Sequence, residues 1–264
     1  LVAATTTAVA ADDRISGFAE PLQQVEVAAP EAGLIESIRV REGDAVDRGQ
    51  TLAQLDVRVL EASLALARAK AQSTAQVDAA AAEYQLRKDR LDAIEQLQRE
   101  GHANTEELQR ARRDAAVAES KLKAAKEDVA LSALEARQIE AQIDRRIIRS
   151  PVDGVVIRLT RQQGEFLSPA DPVLATIANL DTLRVKFHVP TRQAKQYAVG
   201  QTVDIFFPDD ERLAPARIDF VSPVTNADSG TVRVDVVIDN KQGLFRSGVR
   251  CTFLPLLTRT DTVR

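Results

Sequence analysis

Methionine and tryptophan are absent from this chain, cysteine occurs once and histidine twice, and only ten of its 264 residues are Phe or Tyr. Each absence narrows the function. A single thiol, Cys251, cannot close an internal disulfide. Two histidines far apart in sequence, His102 and His188, with no methionine, argue against a metal centre and against a Ser-His-Asp arrangement. So few large side chains do not fill one large globular core, and the composition suits an elongated molecule. No apolar run approaches the 18 or more residues of a spanning helix. The net charge of -4 arises from interspersed acids and bases, with no basic block of the kind a phosphate backbone requires. No glycine-rich phosphate loop follows a strand and opens a helix, and the acid pairs Asp12-Asp13 and Asp209-Asp210 fall in loops as solvated residues. The expectation is a protein without catalytic residues, cofactor or metal.

What is present is a repeat. Two stretches about 120 residues apart, 28–56 and 149–181, read AAPEAGLIESIRVREGDAVDRGQTLAQLD and RSPVDGVVIRLTRQQGEFLSPADPVLATIANLD. Pro30 and Gly33 fall on Pro151 and Gly154, Gly43 on Gly164, Gly49 on Ala170 and Leu52 on Val173. Each copy is an apolar run, a glycine turn and a second apolar run, the pattern of short paired strands, with Gly33, Gly43, Gly154 and Gly164 as turn residues. A strand pair of this size is marginal in water, so the two copies are expected to pack face to face as one β-sandwich split in sequence.

Between the copies the chain is helical and rich in alanine, the best helix former. Residues 57–100 and 105–149 contain neither proline nor glycine, enough for two arms of roughly 60 to 65 Å each. Gly101 supplies a C-cap and Asn104 an N-cap with Glu107 three residues on, which makes a hairpin. In the second arm Leu108, Ala111, Ala115, Ala118, Leu122, Ala125, Val129, Ser132, Ala136, Ile139 and Ile143 alternate steps of three and four, a heptad seam. The first arm carries Leu60, Leu64, Ala67 and Ala71, then a phase shift to Val77, Ala81, Tyr84, Leu91 and Ile94. The product expected is an antiparallel two-helix coiled coil. Arg110, Arg112, Arg113, Asp114 and Glu119 form solvated faces, and a rod this long implies contacts at its tip or flank.

After residue 181 the texture turns to strands at 183–189, 202–207, 216–222, 231–238 and 249–254, with turns at 208–210, 226–230 and 239–243 and a short helix at 192–197. About six strands with one helix suit a compact barrel. At the other end LVAATTTAVA, closing on Ala8-Val9-Ala10, has the small-x-small form of an export-signal remnant, which places the mature protein outside the cytoplasm.

The order half sandwich, helical hairpin, half sandwich, barrel resembles the periplasmic adaptor, or membrane fusion, proteins of tripartite efflux pumps, the HlyD-like family. The residues that carry the resemblance are Pro30 to Gly33 with VREGDAVDRGQTLAQLD, IRSPVDGVV leading to Gly164, NLDTLRVKFHVP with Val199-Gly200-Gln201, and DSGTVRVDVVIDN followed by Leu244 and Gly248. It implies an elongated α+β multidomain fold. A lipoyl/biotinyl-like β-sandwich would span 15–56 plus 149–181, a coiled-coil hairpin 57–148 and a six-stranded β-barrel 182–257, with 1–14 a leader remnant and 258–264 the start of a membrane-proximal domain. Carriers of this fold present a modifiable lysine on the hairpin where the coiled coil stands here, so no lipoyl or biotinyl attachment is implied. The resemblance further implies a non-enzymatic periplasmic adaptor associated with the inner membrane of a Gram-negative cell. Its partners would be an inner-membrane transporter of RND type, an outer-membrane efflux channel met by the hairpin tip, and further copies of itself in a hexamer. Leu97, Gly101, Asn104 and Leu108 match the layout of the channel-contacting tip. Ala93 stands where the family often has Arg, and Asn104 where it has Ser, which puts that contact in question. An adaptor of type I protein secretion or ABC-driven export, and a biotin- or lipoate-carrying subunit, remain open alternatives.

Overall fold

The computed structural model describes residues 15–102 and 104–253; the leader expected in 1–14 and the domain start expected in 258–264 lie outside the described residues. The chain runs β1 (Ile15–Ala28), β2 (Gly33–Ile38), β3 (Ala45–Val46), β4 (Thr51–Leu55), α1 (Arg58–Gln72), α2 (Ala75–Arg99), α3 (Thr105–Arg145), β5 (Ile147–Arg149), β6 (Gly154–Leu159), β7 (Phe166–Leu167) and β8 (Val173–Pro190). It continues through α4 (Thr191–Ala194), β9 (Thr202–Phe207), β10 (Arg212–Asn226), β11 (Thr231–Asp239) and β12 (Arg250–Phe253).

The two repeat copies do pack together, by exchanging strands. One sheet has the order β5-β4-β2-β7, and facing it β3, β6, β8 and the second half of β1 pair in turn. In each sheet the two central strands come from one copy, and the outer strands come from the other copy (β3, β7) or from the residues leading into it (the second half of β1, β5). The exchange is symmetric down to single bonds. Gly33 pairs with Leu167 and Gly154 with Val46. The Gly43 N–H donates to the Val156 carbonyl at 2.8 Å, and the Gly164 N–H donates to that of Ile35 at 2.9 Å. The shared core repeats it, with Val27 and Ile148, Ile35 and Val156, Val46 and Leu167, Leu52 and Leu174, Ala53 and Ala175, and Leu55 and Ile177 at equivalent places. Side chains on one face of each copy thus bury against those of the other, the arrangement strand alternation requires.

Two expectations about the repeat need correction. Leu52 corresponds to Leu174, not Val173: the Arg39 N–H donates to the Leu52 carbonyl as the Thr160 N–H does to that of Leu174, the second copy holding one extra residue at Asp171-Pro172. Gly33 and Gly154 are also not turn residues. They open β2 and β6, whereas Gly43 and Gly164 occupy turns at φ 92° and 88°. What demands glycine at 154 is space, since a Cβ there would lie 2.4 Å from the Ala178 carbonyl oxygen. At Gly33 the nearest atom would be the Leu55 Cδ1, at 3.3 Å.

The remaining strands form a second core. Among the described residues the order β1-β12-β9-β10-β11-β8 returns on itself because β1 also pairs with β8. Leu183, Val185, Phe187 and Val189 of β8 point inward with Ile205, Phe207, Val234, Val236 and Phe253, while Lys186 and His188 face out. Ile15 and Ala19 line this core too, so the start of β1 is a barrel strand and not, as the domain reading had it, part of the sandwich. It pairs with β12 from Ile15 to Phe18, then leaves for β8. Long strands β1 and β8 therefore run through both β-units and pair with each other in each, across a register shift at Pro21/Gln23.

Gly154→Ala is expected to lower sandwich stability by about 2–3 kcal/mol through overpacking against immobile backbone. Gly33→Ala, where a flexible leucine yields and Ala suits a strand better than Gly, is expected to change it by less than about 1 kcal/mol. Urea unfolding of the two variants followed by circular dichroism makes the comparison.

Candidate functional site

The helical hairpin leaves the sandwich between two neighbouring strands. β4 and β5 pair with Ala53 opposite Ile148 and Gln54 opposite Ile147, and the helices occupy the place of their connecting turn. Asp56 ties the root. Its N–H donates to the Leu34 carbonyl at 2.9 Å, and its carbonyl accepts from the Arg146 guanidinium at 2.6 Å. Its carboxylate accepts from the Arg58 side chain at 2.7 Å and from the Arg58 N–H at 3.0 Å, supplying the first turn of α1 with a partner that Val57 cannot offer. These bonds hold the Asp56 carboxyl down at about 2 from its ordinary 3.8. Glu31 adds an ion pair to Arg145 at 3.1 Å.

Along the arms the seam residues of α3 are buried or half-buried from Leu108 to Ile143, opposite Leu64 and Ala67 of α1 and Ile94 of α2. Arg68 with Glu140 at 2.6 Å, Lys121 with Glu83 at 3.2 Å and Arg112 with Glu95 at 3.0 Å cross between the arms. Exposed pairs of this kind contribute only about 0–1 kcal/mol each, so they set register more than stability. The first arm is two helices, α1 and α2, separated at Ser73-Thr74, where the sequence showed its phase shift.

At the tip Gly101 stands at φ 79°, the His102 N–H donates to the Leu97 carbonyl at 2.8 Å and the Gly101 N–H to that of Gln98 at 3.0 Å. That pair of hydrogen bonds to the last carbonyls is the Schellman form of C-cap. Asn104 caps α3 as expected, but its Oδ1 accepts from the Glu106 N–H at 3.1 Å, and no side-chain bond from Glu107 completes a capping box among the described contacts. The four tip residues separate into surface and interior. Leu97 is 46% exposed and Asn104 lies open, whereas Leu108 is buried in a cluster with Ile94 and Ala111. Ala93 is exposed one turn below Leu97.

A second feature escaped the sequence reading. Away from the seam, Val59 and Leu66 on α1 and Leu86 on α2 are 80%, 59% and 66% exposed; Ala62 and Ala69 continue the α1 line, and Ala75, Ala79 and Ala82 lead to Leu86 on α2, each at steps of three and four on its own side of the break. On α3, Val117, Leu131 and Leu134 are 56%, 62% and 57% exposed, with Ala124 on the same line. Each flank of the hairpin thus carries an uncovered apolar stripe. The signal was a second apolar periodicity parallel to the seam, hidden by the alanine background.

The two histidines sit on the exposed hairpin turn and the outer barrel face, and no group of three metal-ligating residues occurs among the described residues. Cys251 is fully buried beside Gly17, and burial pushes its thiol up to about 12. Native protein is expected to react with a thiol reagent at least ~100-fold more slowly than unfolded protein, read from absorbance of the released product. Because the folded pKa of Asp56 lies below the unfolded one, its stabilisation is present above pH 3.8 and lost as pH falls through about 2. Asp56→Asn should therefore flatten the loss of thermal midpoint across that window, followed by circular dichroism.

Comparison with known proteins places this geometry. Over 239 residues, 89% of this chain and 61% of the relative, it is 26% identical to the nodulation protein NolF of Rhizobium meliloti (strain 1021). Over 177 residues, 66% of this chain and 48% of the relative, it is 27% identical to the macrolide export protein MacA of Yersinia pestis. The chain thus spans about half to three fifths of these curated relatives. The crystal structure of MacA from Actinobacillus actinomycetemcomitans shares its fold at a TM-score of 0.76 and 22% identity, over 91% of this chain and 78% of that one. A family model described as CusB-like, beta-barrel domain matches residues 182–253. Another, RND MFP, barrel-sandwich hybrid domain, matches residues 23–178, and the chain belongs to that family of membrane fusion proteins.

Proposed function

We propose that this chain is the periplasmic adaptor of a tripartite efflux system, a non-enzymatic subunit that links an inner-membrane transporter of RND type to an outer-membrane channel for export of small molecules. The observation that carries this reading is the helical hairpin, rooted at both ends in one sandwich and bearing an apolar stripe on each flank. Family membership supplies the rest of the support. In this reading the helical region works as a two-stranded coiled-coil rod. Its third helix, 41 residues long, reaches about 60 Å from the sandwich. The closed sheet of β1, β12, β9, β10, β11 and β8 acts as a six-stranded barrel facing the transporter. Copies assemble side by side, as a hexamer, with the hairpins forming the wall that meets the channel. No helix among the described residues is long and apolar enough to cross a membrane.

At the tip the exposed pair Leu97 and Asn104 is assigned to the channel, and Leu108 to holding the turn beneath them. The turn glycines Gly43 and Gly164 serve the sandwich, their N–H groups donating to Val156 and Ile35. A photo-crosslinking residue at Leu97, in whole cells, is expected to capture an outer-membrane channel, and deletion of 93–108 to abolish efflux while leaving the protein folded. Capture of no channel together with intact efflux in the deletion strain would defeat the reading.

A further inference from the structure

The break in the first arm has a cause in the seam. From Leu60 to Ala71 the inward positions step by four, three and four, and from Val77 through Ala80, Tyr84 and Leu91 to Ile94 a heptad line resumes. Between Ala71 and Val77 the step is one residue short of a heptad. At 100° per residue, a continuous helix would turn the distal seam well away from α3. The chain leaves the helix instead. Ser73 is extended at φ -76° and ψ 113°, and α2 restarts after Thr74, whose side chain makes no cap bond. Neither residue is proline or glycine, and the break falls where the seam register is short.

The surroundings are built loosely. No side chain of the first arm is buried from 68 to 93, and none of α3 from 119 to 135. The apolar clusters lie at the ends, Leu64, Ala67 and Ala136 toward the root and Ile94, Leu108 and Ala111 toward the tip. Beside the break a groove of about 300 Å³ is lined by Lys70, Ser73, Gln76, Asp128, Val129 and Ser132. The ion pairs between the arms flank it, Arg68 with Glu140 on one side and Glu83 with Lys121 on the other.

We propose that Ser73-Thr74 is a one-sided joint at which the tip half of the hairpin swings relative to the root half, α3 bending as an unbroken spring. The first arm changes length at the joint by altering two exposed residues, with no buried contact to break. α3, with every turn hydrogen-bonded, curves smoothly. The tip is thereby free to shift sideways without loosening Asp56 and Arg146 at the root.

Spin labels on Glu61→Cys and Gln85→Cys in the Cys251→Ala chain span the joint, and labels on Arg113→Cys and Arg137→Cys span an equal length of α3. Electron–electron resonance is expected to give a distance distribution at least twice as wide across the joint as along α3. Inserting one alanine between Ser73 and Thr74, which restores the seven-residue step, should narrow the first distribution to the width of the second. Ser73→Ala with Thr74→Ala, which raises propensity but leaves the step short, should not narrow it. Equal widths in the unmodified chain overturn the joint, and narrowing by the double alanine variant overturns its cause in the register.

Discussion

Neither copy of the repeat can finish its own sheet, and the rest of the molecule follows from that constraint. Each copy donates its glycine-turn N–H groups and its outer strands to the other, as the bonds of Gly43 to Val156 and Gly164 to Ile35 show. Separated copies would expose those donors and the leucine, isoleucine and valine pairs of the core, so a chain can be inserted between them only if its two ends return to adjacent strands. β4 and β5 provide that adjacency, and an antiparallel helical pair is the simplest insertion whose ends meet. The root is then fixed by the sheet itself. Asp56 and Arg146, the residues just outside β4 and β5, bond to each other and tie the two ends of the hairpin together there.

The same logic couples the barrel to the sandwich. β1 and β8 cross from one core to the other with register shifts between Pro21 and Gln23 and between Val27 and Ala28. Irregularities of this kind bend a strand without ending its pairing. The two β-units are therefore joined through two shared strands. Flexibility is left to the helical insert, and within it to the stretch where neither arm buries a side chain. A rigid base with compliance placed part-way along a rod differs from a hinge at the root, because a given displacement of the tip asks for no change in how neighbouring bases pack.

The β architecture was legible where alternation and turn glycines coincide, as in Thr202 to Phe207 and in the aligned Gly43 and Gly164. It was not legible where small residues carry the inward face. Ile15, Gly17 and Ala19 give no strong alternation, so the first strand of the barrel read as sandwich. The close approach of Gly154 to Ala178 has no sequence signal distinct from a turn. One extra residue at Asp171-Pro172 moved the alignment of Leu52 by one position, and a one-residue slip exchanges inward for outward. At the tip, Leu97 and Leu108 looked alike in sequence. Only the seam assignment of Leu108 separates them, and the structure follows the seam.

The flank stripes constrain how copies can meet. Val59, Leu66 and Leu86 lie on the first arm, and Val117, Leu131 and Leu134 on the second, so the two stripes occupy different flanks and differ in composition. A two-fold dimer sets one patch against the same patch, which would cover one stripe and leave the other in water on both copies. A head-to-tail contact sets the first arm of one copy against the second arm of the next and covers both kinds of stripe. Such contacts either close into a ring or continue as a filament. In the adaptor reading closure is the productive outcome, with the sandwich and barrel of each copy joined by β1 and β8. In that reading, compliance at the proposed Ser73-Thr74 joint would let the helices of neighbouring copies find their contact.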